Sequence, residues 1–130
     1  MLNISEDLLQ ETIVHLQVRL PHEGVALWSG CGDAVQSWTP LQNVAGEPHK
    51  RYAVDPREWI AVLHQADLRG ETPLALVHSH PTAAAVPSAY DRAHWYYPDL
   101  WCVIVSFAER VPEWNAYRIE SCEKTYLTSR

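Results

Sequence analysis

The sequence predicts an α/β (α+β) fold in a single domain, residues 1–130. Three observations carry that expectation. Two segments repeat apolar residues at helical spacing between clear start and stop signals. Two short apolar runs read as buried strands, and a Gly-rich turn joins two further strand-like runs. A chain of 130 residues buries roughly two-thirds of its unfolded surface, enough for one core without disulfide staples.

From Ser5 to Leu20, apolar Leu9, Ile13, Leu16 and Leu20 recur on one helical face, and Pro21 ends the run. Val25 to Ser29 is a short apolar strand, closed by the turn Gly30-Cys31-Gly32-Asp33, with a returning strand around Ala34 to Trp38. That turn has neither G-x-G-x-x-G nor G-K-[ST], so it is a turn rather than a nucleotide loop. Thr39 to Lys50, with Pro40, Gly46 and Pro48, reads as a loop, and Arg51-Tyr52-Ala53-Val54 as a strand. Asp55-Pro56-Arg57-Glu58 sets out a helix start, with Asp as N-cap, Pro at N1 and Glu at N3. This second helix runs to about Arg69, places Trp59, Leu63 and Ala66 on one face, and stops at Gly70.

Pro73 to Val77 is a buried strand, and Ser88 caps a short helix with Asp91 at its third position. Leu100 to Phe107 is apolar on both faces, as a central strand is. After a turn at Glu109–Pro112 comes a last strand, in which Trp114, Ala116 and Arg118 alternate against Asn115, Tyr117 and Ile119. Six Trp and six Tyr are many for this length, and they cluster from Trp95 to Tyr117. Most belong to the core, and any left exposed form an amphipathic rim of the kind enriched at protein interfaces.

Composition narrows the function. A net charge of −6 with scattered Lys and Arg argues against broad nucleic-acid binding, which needs a cationic face. No apolar run reaches the roughly 18 residues of a membrane span, and the N-terminus lacks the basic start and apolar core of a signal peptide, so the expected setting is the cytoplasm. Cys31, Cys102 and Cys122 are widely spaced and odd in number, which indicates inert thiols rather than a disulfide framework or a thiolate metal site.

The chemistry concentrates in His78-Ser79-His80-Pro81 and the run that continues to Asp91. Side chains two apart on a strand share a face, so His78 and His80 converge at the end of the Pro73–Val77 strand while Ser79 points away. The helix begun at Ser88 brings Asp91 back over that strand end. Two imidazoles and a carboxylate are a common protein ligand set for a catalytic zinc, with the fourth position left to water. Taken singly, each residue has an ordinary explanation, such as helix-dipole complementation for Asp91; the combination H-x-H-P-x5-P-S-x2-D does not.

That run, with Glu23 upstream, resembles the signature of the JAMM metalloproteases, also called the MPN or JAB1/Mov34 superfamily. The Pro21–Gly30 segment is similar to the family's P-x-E-x-C-G-L-L-x-G stretch, although Gly24-Val25-Ala26 lacks its Cys and following Gly. Leu41–Val44 and Arg51–Pro56 resemble connecting segments of small prokaryotic members. The resemblance implies a mixed, strongly curved β-sheet flanked by helices, a cytidine-deaminase-like core. It also implies that His78, His80 and Asp91 bind Zn2+, that Glu23 is the general acid/base, and that Ser88 helps stabilise the transition state. Ser88 is at the same time a helix cap, and the two tasks compete for one hydroxyl.

The implied activity is hydrolysis of a peptide or isopeptide bond at the C-terminus of a ubiquitin-like or sulfur-carrier protein, by a monomer or homodimer. Removal of an amino-acid adduct from such a carrier, a phage-tail-type peptidase acting on cell wall, and a non-catalytic MPN-type protein-binding scaffold are the alternatives. A scaffold would show broken ligand positions, and all of them are intact here. His94, one turn from Asp91, is expected at the rim of the site at most. His15, His22, His49 and His64 stand outside the constellation.

Overall fold

The computed structural model describes residues 1–119 and 127–129. In chain order the elements are α1 (Glu6–Val18), β1 (Val25–Cys31), β2 (Ala34–Leu41), α2 (Pro56–Leu68), β3 (Thr72–His80), α3 (Ala89–Ala93), β4 (Trp101–Ser106), β5 (Glu113–Ile119) and β6 (Leu127–Ser129). The six strands form one mixed sheet in the order β2-β1-β3-β4-β5-β6. β3 and β4 are the parallel pair, with His78 opposite Ile104 and His80 opposite Ser106; the other neighbours are antiparallel. A parallel pair needs a crossover, and here the segment between β3 and β4 contains α3 and Asp91. The topology itself therefore carries the carboxylate back to the histidines.

Alternation along the strands splits the core into two faces. Ala26, Trp28, Ala75, Val77, Val103 and Val105 pack with Ile13 and Leu16 of α1. Val25, Leu27, Leu76, Cys102 and Ile104 form the other cluster, against which Trp59, Val62 and Leu63 of α2 pack. Leu16, Trp28 and Ile104 are fully buried, and each such side chain contributes about 1.5–3 kcal/mol by leaving water. His78 and His80 continue the even-numbered series of β3, so they lie on the α2 face of the sheet.

The sequence signals at the helix ends are realised. Ser5 Oγ accepts the Leu8 N–H, and Asp55 caps α2 by accepting the Arg57 N–H, with Pro56 at its start. Gly70 follows α2 with φ +73°, a backbone conformation that costs glycine little. Two expectations change. β2 runs on to Leu41, which pairs with Val25; the strand lies at the sheet edge, where Pro40, lacking an N–H, is tolerated. Arg51–Val54 is not a strand. Its backbone is held instead by the Asn43 side chain, through the Arg51 carbonyl and the Ala53 N–H. Cys122 lies outside the described residues, whereas Cys31 and Cys102 are free thiols.

Candidate metal centre

His78 Nε2 and His80 Nε2 are 3.2 Å apart, and Asp91 Oδ2 lies 3.2 Å from the first and 3.1 Å from the second. All three residues are buried. Three such atoms cannot all be well paired with one another by hydrogen bonds, because each imidazole has at most one proton to offer at Nε2. They do match the edges of a coordination polyhedron: tetrahedral ligands at about 2.0–2.1 Å from an ion sit roughly 3.3 Å apart. The donor set fits a divalent metal.

The surroundings prepare that role. His80 Nδ1 lies 2.8 Å from the Ala84 carbonyl, which can only accept, so in the neutral ring the proton sits on Nδ1 and Nε2 keeps its lone pair for the site. His78 has no such hydrogen bond, and its buried Nδ1 is without a partner. Its ring instead lies against Tyr52, centroids 4.5 Å apart and tilted by 30°. Asp91 is fixed by a reciprocal capping box: its N–H donates to Ser88 Oγ, and its Oδ2 accepts the Ser88 N–H. Burial alone would raise the Asp91 carboxyl, but the adjacent His78 and His80 and the Ser88 N–H outweigh it and hold it well below the usual carboxylate range. His80 is likewise disfavoured as a cation by burial, yet Asp91 and the Ala84 carbonyl raise it above its ordinary value.

Glu23 stands in the link before β1 and is 4% exposed. Burial, reinforced by the Asp91 carboxylate, pushes its carboxyl up to about 7, while His80 and Arg51 offset part of the rise. The next residue, Gly24, donates its N–H to Ser79 Oγ at 2.8 Å and accepts the Ser79 N–H at 3.0 Å, which ties the link carrying the acid to the strand segment between the two histidines. One of the Glu23 oxygens, Oε1, is buried without a partner. A carboxyl poised near neutrality is suited to proton transfer in both directions. Arg51 lies with its guanidinium carbon 4.4 Å above the Tyr90 ring.

Thus Glu23, His78, His80 and Asp91, drawn from three stretches of the sequence, meet in one place. Ser88 meets them only in part: its side chain caps α3, and the residue is exposed. His94 does not join the ligand group. Its Nδ1 is 3.0 Å from the Tyr90 carbonyl and its ring stacks on Tyr90 at 3.8 Å. His22 is exposed, and His15 Nε2 bonds the Val25 carbonyl at 3.0 Å. Beside Asp91 opens a cavity of about 290 Å³ lined by Tyr52, Val54, Tyr90, His94, Tyr96 and Tyr97 among others. Of the Trp95–Tyr117 aromatics, Tyr96 and Tyr97 line this cavity, with Tyr96 exposed and Tyr97 half-buried, while Trp95 and Trp101 are core.

Sequence reasoning missed three residues. Ser79, read as pointing away from the site, accepts the Gly24 N–H at 2.8 Å and so grips the residue after Glu23. A Cβ at Gly24 would lie 2.9 Å from Leu16 Cδ2 and 3.2 Å from Leu16 Cα, so a side chain there would force Leu16 to shift. Tyr52 was hidden by the strand assigned to its segment. Asn43 sits in a loop read from its Pro and Gly content and in a stretch that resembles a family connecting segment. Asn is a common turn residue because its side chain bonds backbone two residues on, as Asn43 Oδ1 does with the Ala45 N–H, but its longer-range bonds have no local signal.

Sheet, crossover and a buried His-His-Asp group that could hold a metal ion together define an α/β domain of the JAB1/MPN/JAMM type. Residues 5–120 match the prokaryotic homologs of the JAB domain, and the chain belongs to that family. It is 38% identical over 99 residues to a probable TtuB-protein conjugate cleaving protease of Thermus thermophilus, a match covering 75% of this chain and 66% of the other. It is 35% identical over 88 residues to a desampylase of Haloferax volcanii, covering 66% of this chain and 63% of the other. The match thus spans just under two-thirds of the length of each relative. The solution structure of a protein from Desulfitobacterium hafniense superposes with a TM-score of 0.87 at 29% identity, covering 100% of this chain and 90% of that one. A JAB1/MPN domain protein from Archaeoglobus fulgidus shares the fold, with a TM-score of 0.63 at 22% identity and coverage of 98% and 95%.

Proposed function

We propose that this chain is a zinc-dependent metallopeptidase that hydrolyses a peptide or isopeptide bond at the C-terminus of a ubiquitin-like or sulfur-carrier protein. The observation that carries the reading is the group His78, His80 and Asp91, with ligand atoms 3.1–3.2 Å apart, beside a buried acid poised near neutrality. Support for the substrate class comes from the two relatives, one named for cleaving TtuB-protein conjugates and the other a desampylase.

His78 and His80 through Nε2 and Asp91 through Oδ2 would hold the zinc. When bound, zinc supplies a Lewis acid and lowers the pKa of water from about 15.7 toward 7. Glu23 then performs the proton chemistry: its carboxylate takes a proton from the attacking water and returns it to the amine nitrogen as the C–N bond breaks. The products are a carboxylate on the carrier and a free amine. Burial of Glu23 keeps bulk water from competing for that proton. Ser88 Oγ is engaged as acceptor by the Asp91 N–H, which leaves the hydroxyl proton available to a developing oxyanion.

The same reading takes residues 1–130 as one catalytic domain, active as a monomer or homodimer and without a nucleic-acid partner. Among the described residues no helix is long and apolar enough to cross a membrane. The free thiols Cys31 and Cys102 suit a reducing compartment such as the cytoplasm. The test is incubation of the zinc-loaded protein with a ubiquitin-like protein fused through its C-terminal Gly-Gly to a reporter. Cleavage after Gly-Gly that stops with a chelator and returns with zinc is expected; an intact fusion with fully loaded protein would refute the reading.

A further inference from the structure

We infer that Asn43 is a positioning residue that sets Glu23 against the His78, His80 and Asp91 group; this rests on the function proposed above. The Asn43 amide is saturated on both sides. Its Nδ2 donates to the Glu23 carbonyl at 2.9 Å, the Arg51 carbonyl at 3.0 Å and, more weakly, the Pro48 carbonyl at 3.3 Å. Its Oδ1 accepts the N–H groups of Ala45 at 3.0 Å and Ala53 at 3.2 Å. The orientation of the amide follows from its partners, since three carbonyls can face only the nitrogen and two N–H groups only the oxygen.

These bonds join two segments that each touch the site. Arg51 and Ala53 flank Tyr52, so Asn43 grips the backbone on both sides of the residue that covers the His78 ring. The Glu23 N–H donates to the Pro48 carbonyl at 2.7 Å, so the main chain of the acid is held at both its N–H and its C=O. On its far side, Gly24 exchanges bonds with Ser79, between the two histidines. The Glu23 side chain, by contrast, has a buried oxygen with no partner. Its direction is therefore set by how its backbone is clamped, and Asn43 is the side chain that does the clamping. Asn43 touches neither the ligand atoms nor the carboxyl group, so it acts through Glu23.

A double-mutant cycle decides the matter. Zinc-loaded parent, Asn43→Ala, Glu23→Gln and the double variant are compared for kcat and KM on the Gly-Gly fusion, and each is titrated for zinc against a chelator. Asn43→Ala should lower kcat at least tenfold with KM within about threefold, and zinc affinity should also stay within about threefold. In the Glu23→Gln background the same change should lower the residual rate by less than twofold. Ser29→Ala, which removes a buried tie to Glu71 elsewhere on β1, controls for lost stability and should leave kcat within about twofold of the parent. Losses that multiply in the double variant, or a more than tenfold loss of zinc affinity in Asn43→Ala, would overturn the inference. If the parent itself leaves the fusion intact, the proposed function fails, and amide exchange then tests Asn43 alone. Asn43→Ala must speed exchange at Glu23 and Ala53 at least tenfold while Val77 and His78 stay protected; unchanged exchange at Glu23 and Ala53 would overturn it.

Discussion

The Nε2 atoms of His78 and His80 face each other at 3.2 Å, a separation that two neutral imidazoles bring about only by turning one lone pair or one proton toward the other. With Asp91 Oδ2 completing the triangle, the three groups are better satisfied by a shared cation than by one another. The metal should therefore be a large part of the protein's stability. Addition of zinc to metal-free protein is expected to bind one ion per chain and, at about a thousand times its Kd, to stabilise the fold by about 4 kcal/mol, read as a rise in Tm. Asp91→Ala should abolish that rise.

Glu23→Gln separates acid from ligand. The variant should bind zinc with nearly parental affinity and lose about 10²–10⁴-fold in kcat, the usual worth of a positioned acid or base. Turnover within about twofold of the parent would remove Glu23 from the mechanism.

The same acid leaves a signature in the metal-free protein. Its carboxyl is raised from 4.5 to about 7 in the folded chain, so the folded state binds more protons than the unfolded state across that interval. Its contribution is fully present below about pH 4.5 and is lost as pH rises through about 7. His80, raised above 6.5, acts in the same direction at the upper end of that window. His15, lowered by burial, acts in the opposite direction in the same window and does so in parent and variant alike, so the test is the difference between them: from pH 5 to 8 the metal-free parent should lose Tm relative to Glu23→Gln. A difference that stays constant or changes in the parent's favour over this range would contradict the placement of Glu23.

What was legible in the sequence divides along a physical line. Asp55-Pro56, Gly70 and the Ser88–Asp91 pair act on backbone groups within a few residues, so local rules locate them. His78 and His80 are paired by strand periodicity, which is local as well. The role of Glu23 came from family resemblance, because nothing in Pro21–Gly24 announces that β1 and β3 bring it to the histidines. Arg51–Val54 misled because its β-branched and aromatic residues favour a strand, while its backbone is held by the Asn43 side-chain amide eight to ten residues upstream and by single main-chain bonds to Val44 and Glu47 rather than by a ladder. Asn43 and Tyr52 act through tertiary contacts that no period in the sequence encodes.

Ser88 tests whether one hydroxyl serves two tasks. Ser88→Ala removes the acceptor of the Asp91 N–H and should cost about 0.5–2 kcal/mol as a lost cap, with weaker zinc binding because Asp91 loses half of its capping box. Ser88→Asn can cap the helix without a hydroxyl. It should recover most of the stability and zinc affinity but not kcat. Full recovery of kcat in Ser88→Asn would reduce Ser88 to a cap and nothing more.

Tyr52 and His78 supply the last prediction. A metal-bound imidazole is normally steered by a hydrogen bond from its other nitrogen to a carboxylate, carbonyl or water, and loss of such a partner costs about 10–100-fold in metal affinity. His80 has that bond, to Ala84. His78 does not, and the Tyr52 face, 4.5 Å between centroids, is what opposes its rotation on that side. Tyr52→Phe preserves the ring and should leave zinc affinity within about threefold. Tyr52→Leu takes the flat face away, frees rotation about the His78 side chain, and should weaken zinc by about the same 10–100-fold. Chelator competition on both variants measures it; equal affinities for Phe and Leu would show that β3 alone holds His78 in place.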